Sequence, residues 1–114
     1  MTDIGQFAAQ HVEAFNSASE TADYGSFLAG FADDAVMRFE NVPGAGSLEF
    51  RGRSAYTAAY DQNPPDDQID IAGAVTEEGP AIIIPFIWRR DGGRGQMRLT
   101  VSGGVITEMT VAFG

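Results

Sequence analysis

The chain has no cysteine, no lysine and a single histidine, His11, among 114 residues. Each absence removes a class of chemistry. Without thiols there is neither a disulfide framework nor a thiolate nucleophile. Without lysine, Schiff-base chemistry and a P-loop lysine are excluded. One histidine cannot build a multi-histidine metal site, and no spaced acidic motif suggests a hard-cation site, so no metal and no cofactor is expected. No apolar run approaches the ~20 residues that span a bilayer. The N-terminal stretch MTDIGQFAAQHVEAFN lacks a basic segment followed by an apolar one, so no signal peptide is expected and the cytoplasm is the expected location. Cations are scarce as well: seven arginines face sixteen acidic residues, a formal net charge of -9. Nucleic acid and anionic membrane surfaces are therefore not expected as partners. What remains is chemistry by Asp, Glu, Tyr, Arg or His11, or no chemistry.

Hydrophobic residues make up 44% of the chain, enough for one core in one domain, residues 1–114. Ile4, Phe7, Ala8, His11, Val12 and Phe15 fall at helical spacing, with Thr2 or Asp3 as cap and a polar break over 16–22. Tyr24, Phe27, Leu28 and Phe31 repeat as a second short helix capped by Asp23, with Asp33-Asp34 as the turn that ends it. AVMRFE (35–40) alternates as a strand and NVPGAGS (41–47) is a loop. GRSAYTAAYDQN (52–63) predicts a third helix, stopped by Pro64 and Pro65. The rest reads as strands over 68–75, 81–90, 96–101 and 105–113. Turns separate them at TEEGP, DGGRG and Ser102-Gly103-Gly104. Helices followed by a strand meander predict an α+β domain with the helices on one face of an antiparallel sheet. In AIIIPFIW (81–88) both faces of the strand are apolar, so both need cover.

The order α-α-β-α-β-β-β-β, with FADDA, GRSAY and GGVITEM in sequence, resembles the nuclear transport factor 2-like superfamily, which includes SnoaL-like cyclases and ketosteroid isomerases. The resemblance covers nearly the whole chain. It implies a cone: a curved antiparallel sheet wrapped around three N-terminal helices, with an apolar pocket on its concave side and a homodimer through its convex side. Ile82, Ile84, Phe86 and Trp88 would face the cone. Ile83, Pro85 and Ile87 would face a partner subunit.

The resemblance also says where catalytic groups would stand. The isomerases' general base falls at Phe39, which moves no proton. Glu40 is one residue away and faces inward only through a bulge; otherwise it is a solvated strand-end glutamate. The oxyanion aspartate falls at Met97, with no Asp or Glu between Asp91 and Glu108. The Asp-Arg-Asp arrangement of limonene epoxide hydrolases is not matched, because alternation puts Arg38 and Arg98 on the outer face. The oxyanion tyrosine falls at His11, its supporting tyrosine at Tyr60, and a third tyrosine at Phe31. His11 and Tyr60 are thus the candidate catalytic pair, or else a core histidine satisfied by Tyr60 or a backbone carbonyl. The expected ligand-facing set around them is Phe15, Phe31, Met37, Phe39, Tyr56, Ile84, Phe86, Trp88, Met97, Leu99, Met109, Val111 and Phe113. Arg89, Arg90, Arg94 and Arg98 cluster on one hairpin, either at the pocket rim or partnering acidic residues.

Two functions compete. One is a domain binding a small hydrophobic molecule in the cone, with isomerase, cyclase or hydratase chemistry open but without the usual carboxylates. The other is a non-catalytic dimeric structural or association module whose cone is filled by its own side chains. Cavity volume separates them, since a small-molecule site runs to a few hundred cubic ångströms.

Overall fold

In a computed structural model of the chain, AIIIPFIW becomes strand β5 (Ala81–Trp88), an inner strand of a curved seven-stranded sheet. The structure describes residues 4–42, 44–65, 67–90 and 92–113. The elements are α1 (Ile4–Thr21), α2 (Gly25–Leu28), β1 (Phe31–Val42), β2 (Gly46–Arg51), α3 (Arg53–Gln62), β3 (Ile69–Ile71), β4 (Thr76–Glu78), β5, β6 (Arg94–Ser102) and β7 (Val105–Phe113). Strand order is β2-β1-β7-β6-β5-β3, with β4 also on β5. No helix among the described residues is long and apolar enough to cross a membrane.

The predicted α+β architecture holds, with local corrections. The sheet is mixed rather than antiparallel throughout, because β1 runs parallel to β7. A strand absent from the sequence reading, β2, pairs with β1 at the sheet edge; only Phe50 of its six residues is even half-buried, so it carries no core periodicity. Asp33 and Asp34 lie inside β1 rather than in a turn after a helix, and Phe31 opens that strand. Arg53 fixes the strand's start, donating to Asp33 Oδ1 at 2.6 Å and to the Phe31 carbonyl at 2.8 Å. Of the expected strand over 68–75 only Ile69–Ile71 forms, as β3, and the expected turn over 76–80 holds a further strand, β4; the two pair with the two ends of β5. Pro85 stands opposite the interruption: its carbonyl accepts from Ala72 N–H, but it has no N–H to return.

Helix α1 also runs through the expected break over 16–22, because its polar residues have backbone to hold. Asn16 Nδ2 donates to the Ile69 carbonyl at 2.9 Å, and Ile69 N–H donates to Asn16 Oδ1 at 2.8 Å. Ser19 Oγ donates to the Asp67 carbonyl at 2.9 Å. Asn16→Ala strands both backbone groups of Ile69 and is expected to cost about 1–3 kcal/mol in urea denaturation, with α1 retained by circular dichroism. The helix's proposed caps, Thr2 and Asp3, lie outside the described residues.

At the other end of the chain, β6 and β7 meet in a two-residue hairpin. Gly103 (φ 59°) and Gly104 (φ 84°) both take the left-handed backbone that such a turn requires. The register then stacks the concave face in rows across the sheet. Met37, Met109, Leu99 and Ile82 form one row; Phe39, Val111, Met97 and Ile84 the next; Phe113, Gly95, Phe86 and Ile71 the third. Helix residues Ala8, Val12, Phe15, Phe27, Leu28, Tyr56 and Tyr60 belong to the same core.

The convex face is different. Arg38 bridges Glu49 (2.9 Å) and Glu108 (3.3 Å) across three strands, and Arg98 reaches Glu78 (3.3 Å). On the same face of β5 stand Ile83, opposite Arg98, and further along Pro85 and Ile87, opposite Gln96 and Arg94. Ile83, flanked in register by Thr76 and Arg98, is already buried within the single chain, whereas Pro85 and Ile87 are half-buried.

Candidate functional site

The helical stripe of α1 puts His11 and Phe15 over the concave sheet, and α2, tucked against α1, adds Phe27. Tyr60 comes from the last turn of α3. These four side chains, with Phe39, Pro65, Ile69, Phe86, Trp88, Met97, Met109, Val111 and Phe113, enclose a cavity of about 80 Å³. An aromatic collar shapes it. Trp88 stacks on Phe113 (centroids 6.3 Å apart, 8° between planes) and meets Phe86 and Phe15 edge-on at 5.6 and 6.2 Å.

Two groups in this wall are polar. His11 is 8% exposed and Tyr60 6%. Neither side chain has a hydrogen-bond partner among the described residues, and no bond joins the two. The Phe27 ring lies against both, at 5.2 Å from the imidazole and 6.0 Å from the phenol. No sealed side-chain polar atom lacks a partner among the described residues, so the polar atoms of His11 and Tyr60 keep a little open space before them. Burial lowers the His11 pKa from 6.5 to about 4, which leaves the imidazole neutral at pH 7. Burial, with Tyr24 5.1 Å away, pushes the Tyr60 phenol well above its usual range. Both groups are thus uncharged at neutral pH, and the surface that faces the cavity is almost wholly apolar.

A second space adjoins the first. A groove of about 430 Å³ runs between the β1–β2 hairpin, the end of α3 and the end of β7, and shares Phe39, Tyr60, Pro65 and Phe113 with the cavity. Its remaining wall includes Leu48 and Phe50 of β2 and Ala59 of α3.

The structure brings His11, Tyr60, Phe15, Phe39, Phe86, Trp88, Met97, Met109, Val111 and Phe113 to the cavity. Phe31, Met37, Tyr56, Ile84 and Leu99 sit at 0–2% exposure in the packed core and do not line it. The Tyr56 hydroxyl donates to the Ala32 carbonyl at 3.1 Å. Phe27, Pro65 and Ile69 complete the wall without having been foreseen as site residues. Phe27 was legible as part of a helical stripe, but Pro65 has no periodic signal. It is held in place by Tyr24 and Ser19, whose hydroxyls donate to its carbonyl.

No carboxylate lines the cavity or the groove among the described residues. Phe39 and Met97 occupy the wall at the positions where the resemblance would set a base and an oxyanion acid. Glu40 is exposed, paired in register with Ala112. Of the four hairpin arginines, Arg89 is committed to Asp70 through two bonds of 3.0 and 2.9 Å, and Arg98 to Glu78. Neither these two nor Arg90 and Arg94 line the cavity.

No protein-family model matches the sequence, and no curated protein matches it. Solved structures do match in shape. A candidate isomerase from Bacillus subtilis superposes with a TM-score of 0.74 at 14% identity, covering 99% of this chain and 90% of its own. A SnoaL-like protein of unknown function from Burkholderia thailandensis gives 0.70 at 18% identity, covering 100% and 98%. A candidate ketosteroid isomerase from Kribbella flavida gives 0.64 at 20% identity, covering 92% and 76%. The chain has the nuclear transport factor 2-like fold, in the form shared by SnoaL-like and ketosteroid isomerase-like proteins.

Proposed function

We propose that the chain binds a small hydrophobic molecule in its cone and does no carboxylate-based acid–base chemistry on it. One observation carries this reading: an otherwise apolar cavity contains two polar side chains, His11 and Tyr60, both more than nine-tenths buried and both unpartnered among the described residues. Buried polar groups are normally hydrogen-bonded. Here the missing partner is supplied by an oxygen of the ligand. Neutral imidazole can donate or accept, and phenol can do both, so a ketone, alcohol or phenol satisfies the pair. Tyr60→Phe removes one hydroxyl and leaves the ring. It is expected to weaken binding of a phenolic probe such as 2-naphthol about five- to twentyfold by calorimetry, and to leave folding stability nearly unchanged. Equal affinity in the two proteins would remove Tyr60 from the site.

A second reading, a non-catalytic association module, draws on the cavity volume. About 80 Å³ is space for two or three waters rather than for a drug-sized molecule. Both readings include a homodimer through Pro85, Ile87 and the ion-paired convex face. Ile83 is the wrong residue to test it with, because a charge there enters a site already buried in the monomer. Ile87→Asp is the cleaner variant. The expected result in analytical ultracentrifugation at micromolar concentration is a dimer for wild type and a monomer for Ile87→Asp. A wild-type monomer would contradict the dimer.

A further inference from the structure

We infer that the chain has a second binding site, a pocket between α1, α2 and the β6–β7 turn that takes a small neutral ring carrying an amide and recognises it through His11. The pocket is distinct from the inner cavity and does not depend on a ligand in the cone. Its volume is about 190 Å³. Its walls come from α1 and α2, and Gly104 of the turn and Ile106 of β7 close it. His11 and Phe27 belong to this pocket and to the inner cavity alike, so the imidazole is part of the partition between the two spaces.

The imidazole points to a ligand on this side. It is more than nine-tenths buried and has no hydrogen-bond partner among the described residues, yet its nitrogens are not sealed off. The inner cavity's surface is almost wholly apolar, whereas this pocket adds two polar side chains, Gln10 and Ser26. A neutral imidazole carries one donor and one acceptor nitrogen on different edges of the ring. An oxygen in the cone can meet only one of them, so the other needs a partner elsewhere even when the cone is full. The Gly30 backbone in the pocket wall is already committed: its carbonyl accepts from Ile106 N–H at 3.0 Å, and its N–H donates to the Phe27 carbonyl at 3.3 Å.

The lining sets the ligand's chemistry. No charged side chain lines the pocket, so a carboxylate or ammonium group would lose its hydration without meeting a counter-charge. Phe7, Phe27 and Ile106 offer apolar contact to a ring, and the small Ala14 and Gly30 leave room for it. An amide presents a donor and an acceptor together. It therefore satisfies His11 in either tautomer and can also meet Gln10 and Ser26, both exposed at the rim. About 190 Å³ is below the range of drug-sized ligands and suits one ring with its substituent.

The test is an NMR titration with benzamide, read at the ring nitrogens of His11, the one histidine in the chain. The methyl resonances of Met97 and Met109, which line the inner cavity but not this pocket, are the control. Benzamide is expected to shift the His11 nitrogens saturably and to leave both methionines unmoved. Ala14→Trp, at an exposed helix position that does not threaten folding, fills the pocket and weakens binding about tenfold or more. His11→Phe, followed by calorimetry, keeps the ring shape and weakens binding about tenfold. At pH 7 toluene, which lacks the amide, and benzoate, which is charged, each bind about tenfold more weakly than benzamide. The inference is overturned if millimolar benzamide leaves His11 unmoved, if binding survives either variant, or if toluene or benzoate binds as well as benzamide. Shifts at Met97 and Met109 that survive Ala14→Trp would put benzamide in the cone and overturn it too. In each case a cone that takes 2-naphthol still stands, so failure of this site is told apart from failure of the cone.

Discussion

Replacing Gly95 with alanine is expected to destabilise the fold by about 3 kcal/mol, the upper end for overpacking a core. Gly95 pairs with Phe86 across β5 and β6, and the Phe86 ring folds over it. A methyl group there would sit 2.5 Å from Phe86 Cζ, 2.9 Å from Cε2 and 2.7 Å from the carbonyl oxygen of Ala112 on β7. The ring can swing away, but the carbonyl belongs to a paired strand and cannot move alone. Urea denaturation of Gly95→Ala, alone and with Phe86→Leu, separates the two contacts. The double variant should recover only part of the loss to the glycine substitution, because Ala112 remains in the way. A single variant within about 0.5 kcal/mol of wild type would show that the sheet yields more easily than this geometry allows. The consequence reaches the site, since a displaced Phe86 ring has the inner cavity as its nearest free space.

Acidification is expected to cost about 3 kcal/mol through His11 alone. Its pKa is about 4 in the folded chain against 6.5 unfolded. The folded value is depressed, so the unfolded state binds the proton more readily. The neutral, buried form is undisturbed above pH 6.5. Stability then falls as pH drops from 6.5 towards 4, and the loss levels off below that because both states are protonated. The surface carboxylates Glu49 and Asp70, held low by Arg51 and Arg38 and by Arg89 respectively, lose their own contributions mainly below this window. His11→Phe isolates the histidine, since Phe27 and Phe31 already flank the ring. Between pH 7 and 4.5 the wild type should lose about 2–3 kcal/mol more than the variant. Parallel curves would mean that His11 is hydrated or paired in the folded state.

These effects come from parts of the chain that differ in how well the sequence announced them. The β5–β7 meander was legible because Met97, Leu99 and Val101, then Met109, Val111 and Phe113, alternate around a Gly-Gly turn, and both signals are local. His11 was legible as the polar interruption of an apolar stripe, and Tyr60 only through the resemblance, which sets a supporting tyrosine there. The hydrogen bond between them that was one of the readings is not there; Phe27 packs against both rings, and packing of that kind has no sequence period. The edge strand β2 was missed because an exposed strand has no buried face to alternate with. The full length of α1 was missed because Asn16 and Ser19 look like helix breakers until the segment they hold, 65–69, is in view. The parallel pairing of β1 with β7 joins residues some 70 positions apart, as Arg38 and Glu108 do, and nothing local encodes it.

The groove shows the same contrast. Leu48 and Ala59 come from elements whose meeting could not be read from either segment, yet their junction with the cavity makes room for more than a trapped water. The lack of a carboxylate at Phe39 and Met97, by contrast, followed from the resemblance, which sets the isomerases' acidic groups at those two positions. It is why the account centres on binding rather than turnover.

The most direct measurement is a methyl-labelled methionine NMR titration with 2-naphthol, because the chain carries its own control. Met97 and Met109 line the cavity, whereas Met37, fully buried in the same sheet, does not. The account predicts saturable shifts at Met97 and Met109 with Met37 unmoved, and weaker binding in Tyr60→Phe. No shift at Met97 and Met109 at millimolar probe, or equal shifts at all three, would contradict it.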